Sequence, residues 1–210
     1  MTPAPPGPFP PVNRRVVRAG TVLHRIHGRM FDADSFNPCL GRPTRFAPLR
    51  RPDGECISTA YAAESLECAV HETIFHEIQH DAPRKTIDIN VVKALRYSTL
   101  SLTRDLTLGA LFEPDLNQWG LTRRDLIDTF ATQYTRTASW ALAIHAACPD
   151  IDGLVWTSRR CDPLLAFVLF GDRVETTCLK PLESQDITSD SPILGLIREF
   201  GRRAGITLVV

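Results

Sequence analysis

Hydrophobic residues along this chain follow two periods, and the most informative stretch lies where one gives way to the other. From Ser65 onward, Leu66, Ala69, Val70, Thr73, Ile74 and Ile78 recur three and four apart, the spacing of one face of an α-helix. Ser65 fits the N-cap of that helix. Successive residues turn by about 100°, so Glu72 falls outside the apolar stripe, in a row with Cys68 and His76. Its carboxylate is expected along a flank of the helix, where it can line a cleft. A lone helical glutamate is by default a solvated charge, so its role depends on partners from elsewhere in the chain.

Period two marks the strands. Residues 21–27 alternate Val22, His24 and Ile26 against Leu23, Arg25 and His27, which puts Arg25 near a strand end. A short strand over 56–61 leads into the helix, and residues 85–92 alternate as another. Residues 153–157 and 164–170 are short apolar runs that read as buried strands, the first ending at Ser158-Arg159-Arg160. Helices are expected over 122–127 and over 135–147, the second nearly apolar all round and therefore buried. Another starts at Ser191-Pro192 and runs to Arg202, with proline at the first helical position. Residues 206–210 are expected to close the sheet.

Between these elements, residues 28–52 read as loop, and the proline-rich residues 1–13 as an extended tail. Strands outnumber helices and do not alternate strictly with them. The fold class is therefore α+β, a mixed sheet with flanking helices in a single domain over 14–210.

Composition removes several function classes. With 210 residues, 43% of them hydrophobic, the chain can bury one full core. Its 24 basic and 24 acidic residues cancel, so no global field draws in nucleic acid or an anionic membrane. Any anion must be bound locally. No apolar run is long enough for a signal core or a membrane span, and a cytoplasmic protein is expected. The six cysteines show no CxxC pair, which argues for buried thiols over a zinc ribbon or a disulfide framework.

Phosphate-binding GxxxxGK[ST], dinucleotide-binding GxGxxG and hydrolase GxSxG motifs are all missing. His71-Glu72 followed by His76 is not HExxH, because the histidines stand five apart instead of four. His76 and His80 are four apart but supply only two ligands, so no metal is expected.

A dispersed set of polar residues remains: Arg25 at a strand end, Arg45 in the loop, Tyr61 before the helix, Glu72 on it, and Ser158 after a buried strand. The chain resembles the RES-domain family, whose name comes from its arginine, glutamate and serine. The resemblance rests on His24-Arg25-Ile26, Phe36-Asn37-Pro38 with Gly41, and Arg45-Phe46. It continues through Tyr61-Ala62-Ala63, Ser65 and Ala69 to Glu72, then Gly153-Leu154, Ser158-Arg159 and Leu169-Phe170. His24 stands where an aromatic residue is expected, and residues 49–52 add a basic loop.

The resemblance implies an ADP-ribosyltransferase-like fold and a toxin of a toxin–antitoxin system. It implies that the substrate is NAD+, cut at the nicotinamide–ribose bond by hydrolysis or phosphorolysis. The alternative is transfer of ADP-ribose to a protein or nucleic acid. No cofactor beyond NAD+ is implied, and the partners are an Xre-like helix-turn-helix antitoxin and a possible second copy of the toxin.

Glu72 would then stabilise the ribosyl cation, with Arg25 and Arg45 on the diphosphate. Tyr61 would pack on nicotinamide, and Ser158 would bond the substrate or hold Glu72. Arg159 and Arg160 are candidates for holding an acceptor phosphate.

Overall fold

In chain order the elements are β1 (Arg14–Val17), β2 (Val22–Gly28), β3 (Leu49–Arg50), β4 (Cys56–Ile57), β5 (Thr59–Ala63) and α1 (Leu66–Thr73). They continue with β6 (Thr86–Asp88), α2 (Ile89–Lys93), β7 (Leu95–Leu102), β8 (Leu106–Ala110), α3 (Glu113–Gln118), α4 (Arg123–Leu126) and α5 (Tyr134–Ala147). The last are β9 (Gly153–Thr157), β10 (Leu165–Phe170), β11 (Leu179–Asp186), α6 (Pro192–Arg203) and β12 (Thr207–Val209). The structure, a computed structural model, describes residues 2–79 and 82–210. His80, and with it the His76/His80 pair, lies outside the described residues.

Eight strands form one sheet in the order β1-β8-β9-β10-β5-β2-β7-β11. The neighbours are antiparallel except β8 and β9, which makes the sheet mixed, as the sequence led us to expect. Strand alternation builds two cores. Leu154, Trp156, Val168 and Phe170 face one core, shared with Val70 of α1, Trp140 and Ile144 of α5, and Ile197 of α6. Val155, Phe167 and Leu169 face the other, where they meet Leu23, Leu100 and Leu108 of the same sheet. Gly153 is required where β9 meets β10, because a Cβ there would sit 2.2 Å from the Val168 carbonyl oxygen.

One seam in this sheet is weak. Seven residue pairs join β2 to β7 and five join β10 to β5, but β2 and β5 share only His24 with Ala63. Beyond that pair the loop enters the gap, and Asn37 bridges to Thr59 of β5 through N–H···O bonds of 2.7 and 3.1 Å. The strands splay apart there, and a cleft opens between them.

The proline-rich segment from Thr2 to Asn13 has no regular structure before β1, yet it packs on the body. Phe9 stands edge-on to Trp119 and Trp140, with ring centroids at 5.5 and 5.7 Å. The two indole N–H groups donate to the carbonyls of Pro11 and Pro3.

Four expectations are corrected. Residues 85–92 are a strand only over Thr86–Asp88, because the Asp88 carboxylate accepts the Asn90 N–H and caps α2. β12 pairs in parallel with β6 in a separate two-stranded ribbon and does not close the main sheet. Helix α5 is buried on one side only: Thr135, Arg136, Ala146 and Ala147 face solvent, because alanine gives no apolar bulk that must be hidden. Finally, Cys39 and Cys56 form a disulfide rather than two thiols, a pairing that a reducing compartment does not favour. Among the described residues no helix is long and apolar enough to cross a membrane.

Candidate active site

Helix α1 begins as its sequence predicts, with the Ser65 hydroxyl accepting the Cys68 N–H at 3.1 Å. It stops at Thr73, short of the full apolar stripe, so Glu72 sits in its last turn. Glu72 lines the cleft, as its place on the helix flank led us to expect, and its carboxylate is enclosed. Ser158 Oγ donates to Oε1 at 2.7 Å and Arg45 Nη1 donates to Oε2 at 2.9 Å. The side chains of the Arg45–Glu72 pair are only 6% and 11% exposed.

Burial is the largest influence on Glu72 and pushes its carboxyl upward. The Arg45 charge and the bonds from Ser158 and Arg45 together outweigh it, and the net shift is downward. Arg45 mirrors this. Burial pulls its guanidinium down, Glu72 and the neighbouring tyrosines pull harder, and the net shift is upward. Both groups are ionised at neutral pH.

Backbone geometry directs the serine. The N–H groups of Arg160 and Cys161 donate to Ser158 Oγ at 3.2 and 3.1 Å, which leaves the hydroxyl proton for Glu72. Ser158 is completely buried and stands behind Glu72 rather than on the cleft surface. Of the two roles expected for it, the structure shows the holding of Glu72. Arg45 is anchored from the other side. Its carbonyl accepts from the Thr137 hydroxyl of α5, and its guanidinium lies 5.9 Å from the Trp156 ring centroid. The Arg45 group that was expected to meet a diphosphate is therefore bound to the carboxylate.

Tyr61 lines the cleft from β5. Its hydroxyl accepts the Phe46 N–H at 2.8 Å and lies 3.0 Å from Thr44 Oγ1. Burial pushes the phenol up to about 12, so the hydroxyl keeps its proton to donate. In this way Tyr61 fixes the loop that carries Arg45.

On the opposite wall, Arg25 of β2 is 7% exposed, and Nη1 donates to the Ala33 carbonyl at 2.7 Å. It makes no ion pair among the described residues. Desolvation brings the guanidinium down to about 10, which still leaves it charged at neutral pH.

Between these walls lies a cavity of about 250 Å³, lined by Arg25, Phe36, Arg42, Arg45, Tyr61, Glu72, His76 and Tyr134 among others. Four of the five residues singled out from sequence line it, and Ser158 touches one of them from behind. Arg159 and Arg160 do not. Arg159 donates to the Thr129 carbonyl and stacks on Phe130, and Arg160 is bound to the Ile78 carbonyl. Sequence reasoning missed Arg42 at the mouth, His76 and Tyr134. Tyr134 stood one residue before a helix that was expected to begin at 135, a position from which it reaches back over the cleft.

A curled α+β sheet, split at one seam around a buried arginine and a clamped glutamate, encloses a charged, pre-formed cleft. The RES domain family matches residues 22–189, and the chain belongs to that family. Among solved structures it is similar to the crystal structure of the M.tuberculosis MbcT-MbcA toxin-antitoxin complex, with 17% identity and a TM-score of 0.60. That match covers 88% of this chain and 91% of the other. No curated protein matches.

Proposed function

We propose that this protein is the toxin of a toxin–antitoxin pair and cleaves NAD+ between nicotinamide and ribose. The observation that carries the reading is the pairing of an ionised, immobilised Glu72 with an Arg25 that has no carboxylate partner, on opposite walls of one cleft. Departure of nicotinamide leaves a cation on the ribose. The leaving ring is already neutralised by the bond cleavage, so no general acid is needed.

A carboxylate about 4 Å from that cation contributes at most about 4 kcal/mol at an effective dielectric near 20, roughly a thousandfold in rate. Arg45 trims this figure but keeps the carboxylate charged where burial alone would protonate it. Arg25, with Arg42 at the mouth, suits the diphosphate, because a guanidinium offers paired donors to phosphate oxygens. Tyr61 walls the nicotinamide end.

The family membership and the fold shared with a protein from a toxin–antitoxin complex support the toxin reading. Met30 and Leu40, 86% and 59% exposed, stand at the loop beside the cleft and suit coverage by an antitoxin of the Xre type.

The test is NAD+ consumption by purified protein with and without inorganic phosphate, alongside Glu72→Gln. Consumption by the wild type alone supports the reading, and a requirement for phosphate identifies a phosphorylase. Intact NAD+ under both conditions, with NAD+ consumed and ADP-ribose attached only once a macromolecular acceptor is added, would replace it with the transferase reading.

A further inference from the structure

One turn before Glu72, α1 carries a second constellation. Glu67 and His71 stand four apart on the helix, and Cys161 meets them from the segment between β9 and β10. One ligand-capable atom of each lies within 4.8 Å of the others. His71 is 7% exposed, and its Nδ1 is buried without a hydrogen-bond partner. Buried polar atoms are nearly always satisfied, so this nitrogen points to an absent ligand. Arg203 takes only Oε1 of Glu67, at 2.8 Å. The Cys68 thiol donates to the Leu165 carbonyl at 3.4 Å.

We propose that Glu67, His71 and Cys161 form a site for a zinc-like divalent cation, with water in the fourth position. Imidazole, thiolate and carboxylate together suit zinc, whereas calcium and magnesium take oxygen ligands. Ligand atoms of a tetrahedral zinc site lie about 3.5 Å apart, so the cluster must close by roughly an ångström. Glu67 and Cys161 are only partly buried and have room to move.

On binding, the Cys161 thiol proton leaves to solvent and the thiolate coordinates. The cation would then tie α1 to the segment whose Cys161 N–H orients Ser158. A search for local metal motifs misses this set, because its third ligand lies 90 residues beyond His71.

The test is a cobalt(II) titration of the full, chelator-stripped chain with its Cys39–Cys56 disulfide intact, followed by absorption spectroscopy. One equivalent per chain is expected, with a thiolate-to-cobalt charge-transfer band and tetrahedral visible transitions, both displaced by zinc. The band should be lost in Cys161→Ser, the tetrahedral spectrum lost in His71→Gln and Glu67→Gln, and both kept in Cys178→Ser. The wild-type spectrum decides even where a variant fails to fold. No charge-transfer band in the wild type, or an undiminished spectrum in Cys161→Ser or His71→Gln, would overturn the site.

Discussion

The two walls of the cleft solve opposite electrostatic problems. On the α1 side every charge is answered: Arg45 and Ser158 occupy both oxygens of Glu72, and two backbone N–H groups hold Ser158. On the β2 side Arg25 is as deeply buried as Arg45 but bonds only a carbonyl, with Asp34 acting on its charge from beyond ion-pair distance. A buried charge without a counter-ion costs stability, and such a cost is consistent with a side chain kept for a ligand. One wall is a finished ion-pair network, and on the proposed function the other is the socket that an anion completes.

The largest effect should come from the finished wall. Glu72→Gln keeps the shape and loses the charge, so kcat for NAD+ cleavage should fall about a thousandfold with KM little changed. A steady-state comparison checks this, and a fall in affinity with kcat preserved would break the assignment of chemistry to this wall.

Next comes a pair of substitutions with opposite signs. Arg45→Met strands a buried carboxylate and should destabilise the fold by about 3–5 kcal/mol. Arg25→Met removes a cation that lacks a counter-ion, so stability should hold or rise by about 1 kcal/mol, while KM climbs roughly 10–100-fold for want of a charged hydrogen bond. Urea melts and kinetics on both variants would sharpen the contrast. Equal destabilisation would erase it.

How much of this was legible follows from the same physics. Glu72 and Arg25 were marked by periodicity, which says which face of an element a side chain occupies. Periodicity does not say what it meets. The Arg45–Glu72 and Ser158–Glu72 contacts span 27 and 86 residues, and only the folded sheet joins them. The family resemblance grouped these residues but could not tell that Arg45 would be taken by the carboxylate.

Among the strands that went unnoticed, β7 and β8 are largely buried, whereas the two edge strands lie outside the core pattern. β11 is a largely exposed edge strand, interrupted at Pro181, with no apolar alternation to betray it. β1 is exposed on nearly every residue. Asp88 defeated the strand reading of 85–92 because a single cap outweighed three residues of alternation.

A smaller effect tests the serine's place behind the finished wall. Ser158→Ala removes one hydrogen bond to an ionised carboxylate and leaves two backbone N–H groups unpaired, a cost of about 2 kcal/mol. It should lower kcat by about 10–30-fold with KM for NAD+ unchanged, because the hydroxyl does not face the cleft. A rise in KM instead would return Ser158 to substrate binding.

The gentlest test lies next to the socket. His27, buried on β2, is brought down to about 4 by desolvation and then by the positive charge of Arg25. Between pH about 6.5 and about 4 the unfolded chain binds a proton that the folded chain refuses. Stability contributed by the neutral ring is therefore present above that window and lost as pH falls through it. The loss should amount to about 1–3 kcal/mol, and His27→Gln should flatten that part of a stability-versus-pH curve.

Inorganic pyrophosphate bound at Arg25 would offset the guanidinium's field, so the His27 titration followed by NMR should move upward when pyrophosphate is added. An unmoved titration would mean that the anion does not sit beside Arg25, and the difference between the two walls would then need another explanation.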